Sequence, residues 1–357
     1  MPRWPLAPAL LPDESLSSWL CRSALAVGSD PIRFTAALWP SSRTWSADVD
    51  ARIEPRKVRT LALSSGLEIA ELERATLRSA LGGQTQDDAS CAFIVPESVR
   101  GHARIGRTPF CPECWGEDAA AYYRLAWRYS WCVACERHRT LLADRCPACS
   151  VALAPHRLRT GEKSLARCDQ CGHDLCTTAV LAAPVAVLRL QARASSAAID
   201  GVAQWWDWPL SHGAWFFTLR HWIRFLQQGM REGASPTAQL GRALCRDFDN
   251  IAAKGDFDKI TVRARASLLG AVGMIAEADS GHVLKLAMEY GITHRHIVWW
   301  TSRVQPAKLW GERLPEGSRQ TSSPRTRRDR YGLGRPRPRH EVNRMYARLV
   351  RDAAVLR

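Results

Sequence analysis

Eight cysteines fall into four Cys-x-x-Cys pairs between Cys111 and Cys171, and this 61-residue window limits the fold of the 357-residue chain more sharply than any other feature. A two-residue gap lets both side chains of a tight knuckle reach one tetrahedral ion. Cys111-Pro112-Glu113-Cys114 is followed after 20 residues by Cys135-Glu136-Arg137-His138, and Cys146-Pro147-Ala148-Cys149 after 18 by Cys168-Asp169-Gln170-Cys171. Pairs taken two at a time give two zinc centres with four protein ligands each. Such closed centres leave no position for water or substrate, so the expected role is structural. Two alternatives compete for ligand positions. Cys132 also pairs with Cys135 and would release His138, and His173 or Cys176 would substitute in the second centre. Disulfides suit small secreted domains, and a redox Cys-x-x-Cys normally stands alone, so four clustered pairs favour metal.

The charge is equally uneven. Fifty Lys and Arg against 35 Asp and Glu leave a net +15, yet residues 301–357 alone carry fifteen basic against five acidic side chains. A surplus concentrated in this way points to a polyanionic partner, nucleic acid before an anionic membrane. Seven arginines, Arg325, Arg327, Arg328, Arg330, Arg335, Arg337 and Arg339, lie in a stretch without helical or strand period. That stretch is a basic arm, able to release counterions from phosphates without reading sequence; its bland alternative is a solvated tail. No run approaches the roughly 20 apolar residues of a membrane span, and Pro5 and Pro8 break the apolar stretch from Trp4 to Leu11. The expected location is the bacterial cytoplasm, in association with the nucleoid.

At 46% hydrophobic and 24% charged residues the chain has the composition of a globular protein with two or three domains. Leu16, Trp19, Leu20, Leu25 and Ala26 recur at helical spacing behind Asp13 or Ser15 as a cap, and Val58 to Leu81 repeats that period. Residues 84–108 read as a linker. Ala179 to Leu190 resumes a helical pattern, and two or three further helices are expected from about Ala238 to Arg303. The fold class is therefore mainly α. An N-terminal helical, helix-turn-helix-like domain is expected over 1–108, a tandem zinc-finger segment over 109–178, a C-terminal helical domain with a second helix-turn-helix over 179–314, and the basic arm with a short amphipathic helix over 315–357. No internal repeat is visible.

Leu286-Ala287-Met288-Glu289-Tyr290-Gly291-Ile292 with Ile297 and Trp300 fits a helix-turn-helix whose second helix starts near Thr293. Its leading His294 and Arg295, and Arg303 further along, are candidate contacts to bases or phosphates. The pattern around Gly66 is similar, but its second helix opens with Glu68, Glu71 and Glu73, which phosphates repel; it is expected to pack inside the fold or meet a protein. Trp205, Trp206, Trp208, Trp215 and Trp222 suit a core or protein interface better than stacking on bases. A Walker A loop, a His-Glu-x-x-His and a Gly-x-Ser-x-Gly are all absent from the sequence. No catalysis is expected.

Leu11-Pro12-Asp13-Glu14-Ser15-Leu16-Ser17-Ser18-Trp19-Leu20-Cys21-Arg22, Phe110-Cys111-Pro112-Glu113-Cys114, Tyr123-Arg124-Leu125-Ala126-Trp127-Arg128 and Cys135-Glu136-Arg137-His138-Arg139-Thr140-Leu141-Leu142 running into Cys146-Pro147-Ala148-Cys149 resemble the TniQ family in order and spacing. The resemblance covers about residues 10–175. It implies an N-terminal helix-turn-helix before a pair of zinc fingers, with Cys-x-x-His just ahead of Leu-Leu completing the first finger. Cys135 and His138 match that pattern and Cys132 is the extra. Ser150, where glycine is usual, is a departure. The family implies an adaptor that binds target DNA, or a guide-RNA complex already on it, and recruits an AAA+ ATPase and a transposase. A homodimer is compatible with this reading. A free-standing zinc-containing transcription regulator and an RNA-binding module are the alternatives.

Overall fold

Proline and short polar caps decide where the helices begin. The computed structural model describes residues 4, 7–40, 42–77, 93–96, 98–100, 103–105, 108–246, 248–251 and 255–316. The basic arm with its seven arginines and the amphipathic segment after it lie outside the described residues. The chain is mainly α-helical, as its periodicity predicts. Helix α1 (Leu16–Ala26) starts where the Ser15 side chain accepts from the Ser18 N–H, and α2 (Pro31–Leu38) starts at an Asp30 cap with proline in its first turn. A short α3 (Val49–Arg52) follows, then α4 (Pro55–Ser65) and α5 (Ile69–Arg74). Gly66 ends α4 with φ of 80°, a left-handed conformation that favours glycine, and a Glu68–Glu71 capping box opens α5. Leu16, Trp19, Leu20, Phe34, Val58, Leu61 and Leu72 form the core of this part.

Within the stretch expected as a linker, β1 (Ser98–Arg100) and β2 (Ala103–Ile105) pair antiparallel. Helix α6 (Pro112–Glu117) springs from the first knuckle. From 118 to 184 regular structure is limited to 3₁₀ turns and isolated bridges. Helix α7 (Val185–Ile199) starts after Pro184, several residues later than the apolar pattern suggests. A hairpin of β3 (Val202–Trp205) and β4 (Trp208–Ser211) leads into the long α8 (His212–Glu232) and α9 (Pro236–Leu244). Helices α10 (Val262–Glu277), α11 (Ser280–Glu289), α12 (His294–Thr301) and α13 (Gln305–Gly311) complete the described fold. The expectation of two or three helices between 238 and 303 is too low. Thr261, Asp279 and Thr293 each cap a new helix within that apolar stretch, which the periodicity alone does not separate.

The tryptophans fill the core rather than offering platforms for bases. Trp205, Trp215, Trp222 and Trp300 are fully buried, and the half-buried Trp206 ring lies within 6.1 Å of those of Trp208, Trp222, Trp300 and Trp310. The Trp300 indole N–H donates to Thr218 Oγ1 at 3.0 Å, fixing α12 against α8. Residues up to Pro315 form one unit, and among the described residues no helix is long and apolar enough to cross a membrane.

A buried ion pair ties α3 to the segment that precedes the second knuckle. Arg128 is 1% exposed and reaches Asp48 at 2.6 Å and the fully buried Asp50, which also accepts from the Ser17 N–H at 2.7 Å and its hydroxyl at 2.8 Å. Breaking such a pair on one side strands a charge in a medium that cannot solvate it. Arg128→Met is therefore expected to cost about 3–5 kcal/mol in urea unfolding, and Arg33→Met, whose side chain is 82% exposed, about 0.5 kcal/mol or less. Equal midpoints for the two variants would refute the account.

Candidate metal centres

Three of the four knuckles are one hairpin repeated. In each, the N–H of the first cysteine donates to the carbonyl five residues on: Cys135 to Thr140 (2.8 Å), Cys146 to Val151 (3.0 Å) and Cys168 to His173 (3.0 Å). In each, the residue just after the second ligand donates back to the first cysteine's carbonyl: Arg139 to Cys135 (2.8 Å), Ser150 to Cys146 (2.9 Å) and Gly172 to Cys168 (2.9 Å). That returning residue is left-handed every time, with φ of 57°, 58° and 72°. Glycine takes this conformation freely, whereas Arg139 and Ser150 carry a strain of roughly 1–2 kcal/mol each. The fourth knuckle differs because Pro112 starts a helix: Cys111 Sγ accepts from the Cys114 N–H and so caps α6.

These hairpins bring two sets of donors together. Cys111, Cys114, Cys135 and His138 form one group and Cys146, Cys149, Cys168 and Cys171 the other, each with its donor atoms all within 4.8 Å of one another. In the first, His138 Nδ1 is 3.4 Å from the sulfurs of Cys111 and Cys114 and 3.5 Å from that of Cys135, and the Cys114 and Cys135 sulfurs are 3.6 Å apart. In the second, Cys146 to Cys171 is 3.6 Å and Cys149 to Cys168 is 3.7 Å. A tetrahedral ion with Zn–S of about 2.3 Å and Zn–N of about 2.0–2.1 Å has edges of about 3.8 Å (S to S) and about 3.5 Å (S to N). Both groups match these edges, so the donor spacing suits one ion each, and soft thiolates with a single imidazole suit a zinc-like metal.

The electrostatics point the same way. Hydrogen bonds to the Cys111 and Cys135 sulfurs, with burial, push the Cys114 thiol far up, while the same contacts draw Cys135 down. Burial pushes Cys168 up to about 12. Without a cation, Cys114 and Cys168 hold on to protons that a divalent ion displaces, so metal affinity falls as pH falls.

Sequence reasoning named the donors but missed the groups that aim them. Glu117 accepts from His138 Nε2 at 3.0 Å, which fixes the tautomer with Nδ1 free to ligate. Glu113, one turn earlier on α6, accepts from the Thr140 hydroxyl at 2.7 Å. Their four-residue spacing behind Cys111 was the available signal. Gln191 of α7 is the other omission: it accepts from the Val133 and Ala134 N–H groups at 3.0 and 3.1 Å and donates to the Ala134 carbonyl at 2.9 Å. Cys132 stands outside the first group, buried with its sulfur 3.9 Å from the Ala134 carbonyl. His173 and Cys176 stand outside the second, His173 meeting the Thr177 hydroxyl at 3.3 Å.

The candidate nucleic-acid residues are placed differently from one another. Arg295 is exposed in the first turn of α12. His294 is half-buried and its Nε2 meets the Thr301 hydroxyl at 3.1 Å, so it serves the helix interior. Arg303 is exposed just beyond the end of α12, over the Phe217 ring at 5.2 Å. Gly291, with φ of 74°, makes the turn between α11 and α12.

The two centres differ in exposure, so ions held in them are expected to leave at different rates. All three cysteines of the first are buried, whereas Cys171 is exposed and Cys149 half-buried in the second. A chelator is expected to remove two metal ions per chain in two phases, the faster from the second centre. Cys168→Ala should abolish the fast phase and leave one ion per chain by elemental analysis; loss of the slow phase instead would overturn the assignment. Ser150→Gly relieves left-handed strain and is expected to raise stability by about 1 kcal/mol, which an unchanged unfolding midpoint of the metal-loaded protein would refute.

No curated protein matches the chain. The TniQ family model matches residues 5–142, a span that takes in helices α1 to α6 and all four donors of the first centre and ends before the second. The sequence is therefore similar to the TniQ family over residues 5–142, less than half of the chain.

Proposed function

We propose that the chain is a non-enzymatic, zinc-stabilised adaptor for DNA transposition, which binds target DNA and recruits an AAA+ ATPase regulator and a transposase. The TniQ match over residues 5–142 carries this reading, because that family consists of transposition accessory proteins. Zinc is the proposed metal in both centres, held by Cys111, Cys114, Cys135 and His138 and by Cys146, Cys149, Cys168 and Cys171. With four protein ligands each, the centres are structural and route no chemistry. The four segments 1–108, 109–178, 179–314 and 315–357 are the proposed working parts, and the nucleoid is the proposed location.

The DNA-facing part of the proposal is the exposed face of α12 together with the arm. Arg295 stands where a recognition helix meets base edges, and Arg303 and the arm arginines Arg325, Arg327, Arg328, Arg330, Arg335, Arg337 and Arg339 suit phosphates. His294 has a smaller part, as its ring is engaged with Thr301. The acidic outer side of α5, with Glu68 and Glu73 exposed, suits a protein partner such as the ATPase rather than DNA. A guide-RNA complex in place of bare DNA, and a homodimer, are compatible with the same surfaces.

Selection of sheared genomic DNA by the zinc-loaded protein at physiological salt should enrich a defined site, and the ATPase should co-purify with the complex. Cutting or joining of DNA by the pure protein with magnesium alone would sink the adaptor reading. Removing residues 320–357 is expected to flatten the plot of log affinity against log salt by roughly 0.9 per phosphate neutralised, and an unchanged slope clears the arm of that role.

A further inference from the structure

The two centres are built from different donors and lie under different cover. In the first, Cys111, Cys114 and Cys135 are 0%, 1% and 4% exposed, and the buried Trp115 follows directly on the helical knuckle. Its fourth donor is the His138 ring, which cannot enter a disulfide. The second has four thiols, of which Cys146 and Cys168 are buried, Cys149 is half-buried and Cys171 is exposed. The residues beside those last two offer little cover: Pro147, Ala148 and Ser150 are exposed next to Cys149, and Gln170 and Gly172 next to Cys171. A side chain added at Gly172 would meet no atom within 4 Å beyond its chain neighbours, so the tip of that knuckle is open to solvent. Cys171 Sγ also lies 3.6 Å from Cys146 Sγ, across the gap between the two hairpins.

A cysteine that ligates a metal does so as the thiolate, and a thiolate that solvent reaches is the form that peroxides oxidise. Attack of the Cys171 sulfur on one oxygen of a hydroperoxide breaks the O–O bond. The other oxygen takes a proton and leaves as an alcohol, or as water from hydrogen peroxide, and Cys171 becomes a sulfenic acid. The Cys146 thiolate then attacks that sulfur, the S–O bond breaks, and the hydroxide leaves as water with a second proton. Two thiolates, one hydroperoxide and two protons thus give one disulfide, one alcohol and one water, with two electrons passing from sulfur to oxygen. Cys149 and Cys168 are left as two ligands where a structural ion needs four.

We propose that Cys171 is an oxidation site, and that a hydroperoxide, by joining it to Cys146, discharges the second ion while leaving the first in place. This rests on zinc being the ion of the second centre. The site lies beyond residues 5–142, the span similar to the TniQ family. Discharge frees the segment that the two hairpins enclose. Its ties to the N-terminal helical part include the stack of His156 on Trp45, with ring centroids 5.0 Å apart and planes at 9°, and the Thr160 hydroxyl on Asp30 at 3.5 Å.

The test treats the full-length, zinc-loaded protein with hydrogen peroxide and follows bound zinc by elemental analysis after gel filtration, against a peroxide-free blank. One of the two ions should leave, and the other should leave about tenfold more slowly or not at all. After alkylation of the remaining thiols, trypsin should yield residues 146–157 joined by a disulfide to residues 168–189. Dithiothreitol with added zinc should restore the second ion. Cys171→His keeps a fourth ligand while removing the exposed thiol, which gives the second centre the donor set of the first; it is expected to slow zinc release about tenfold. Cys176→Ser removes a thiol of the same tryptic peptide that is not a donor, and should leave the rate unchanged. Equal loss from both centres, no loss from either, or a disulfide that pairs Cys171 with Cys168 or Cys176 overturns the proposal, as does undiminished release from zinc-loaded Cys171→His. If that variant does not hold zinc, the peptide map of the wild type decides. Fewer than two zinc ions in the untreated chain, with the count unchanged by Cys168→Ala, overturns the zinc reading of the second centre instead.

Discussion

The donor tetrahedra around the two metal centres are the constraint on which the rest of the fold hangs. Between residues 118 and 184 no regular helix or paired strand larger than a turn or a single bridge holds the backbone. Three near-identical hairpins do so, each closed by two backbone hydrogen bonds, and each is too small to be stable alone. A structural zinc at such a site would supply on the order of 10–16 kcal/mol of apparent binding energy, enough to offset the ordering of the chain and the left-handed strain at Arg139 and Ser150. The helical parts then fasten onto this fixed middle. On the N-terminal side the Tyr123 N–H donates to Ser18 Oγ at 2.9 Å and the Ser15 N–H to the Tyr123 carbonyl at 3.0 Å. On the C-terminal side Gln191 grips the backbone at Val133 and Ala134, Asp144 accepts from the Val262 N–H at 3.0 Å, and Arg265 donates to the Ser130 carbonyl at 2.7 Å.

Charge is partitioned along the same frame. The short α5 opens with a Glu68–Glu71 box and carries Glu73 on its exposed side, whereas α8 and α12 carry exposed Arg224 and Arg295, with Arg220 of α8 paired to Asp258 at 3.1 Å. Elements of unlike charge within one compact unit suit the proposed adaptor, since a polyanion and a protein partner are drawn to different ones. Trp300 sets α12 into this arrangement through its bond to Thr218 and its ring against His221, 4.9 Å away. Burial lowers His221 to about 3, so it packs as a neutral ring and brings no charge of its own to the α8–α12 junction.

The parts of this molecule that were legible in its sequence are those written in local spacing. Cys-x-x-Cys and Cys-x-x-His gaps fix which atoms can share an ion, and all eight donors converge as that spacing requires. Ser15, Gly66 and Gly291 mark ends and turns of helices by chemistry confined to a few residues. What was hidden is written across long separations. Gln191 meets Ala134 across 57 residues, Arg128 meets Asp50 across 78, and Trp299 finds Phe217 and Arg224 only because α8 and α12 pack. The repeated hairpin was invisible for a different reason: only ligand and turn positions recur, and Arg139, Ser150 and Gly172 share a backbone conformation, not a residue type.

A closed metal site far from any ligand still bears on recognition through rigidity. The first centre orders the knuckle at Cys135, and the backbone just before that knuckle is what Gln191 of α7 holds. Helix α7 packs on α10 and on α8, and α8 supplies both Thr218 to anchor Trp300 and Phe217 to stack on Trp299. The links are hydrogen bonds, helix packing and ring contacts, so disorder introduced at the knuckle is expected to reach α12 as a loss of alignment rather than of contact residues. An ion held at the first centre would thus bear on how α12 is set against α8 while touching no residue of either.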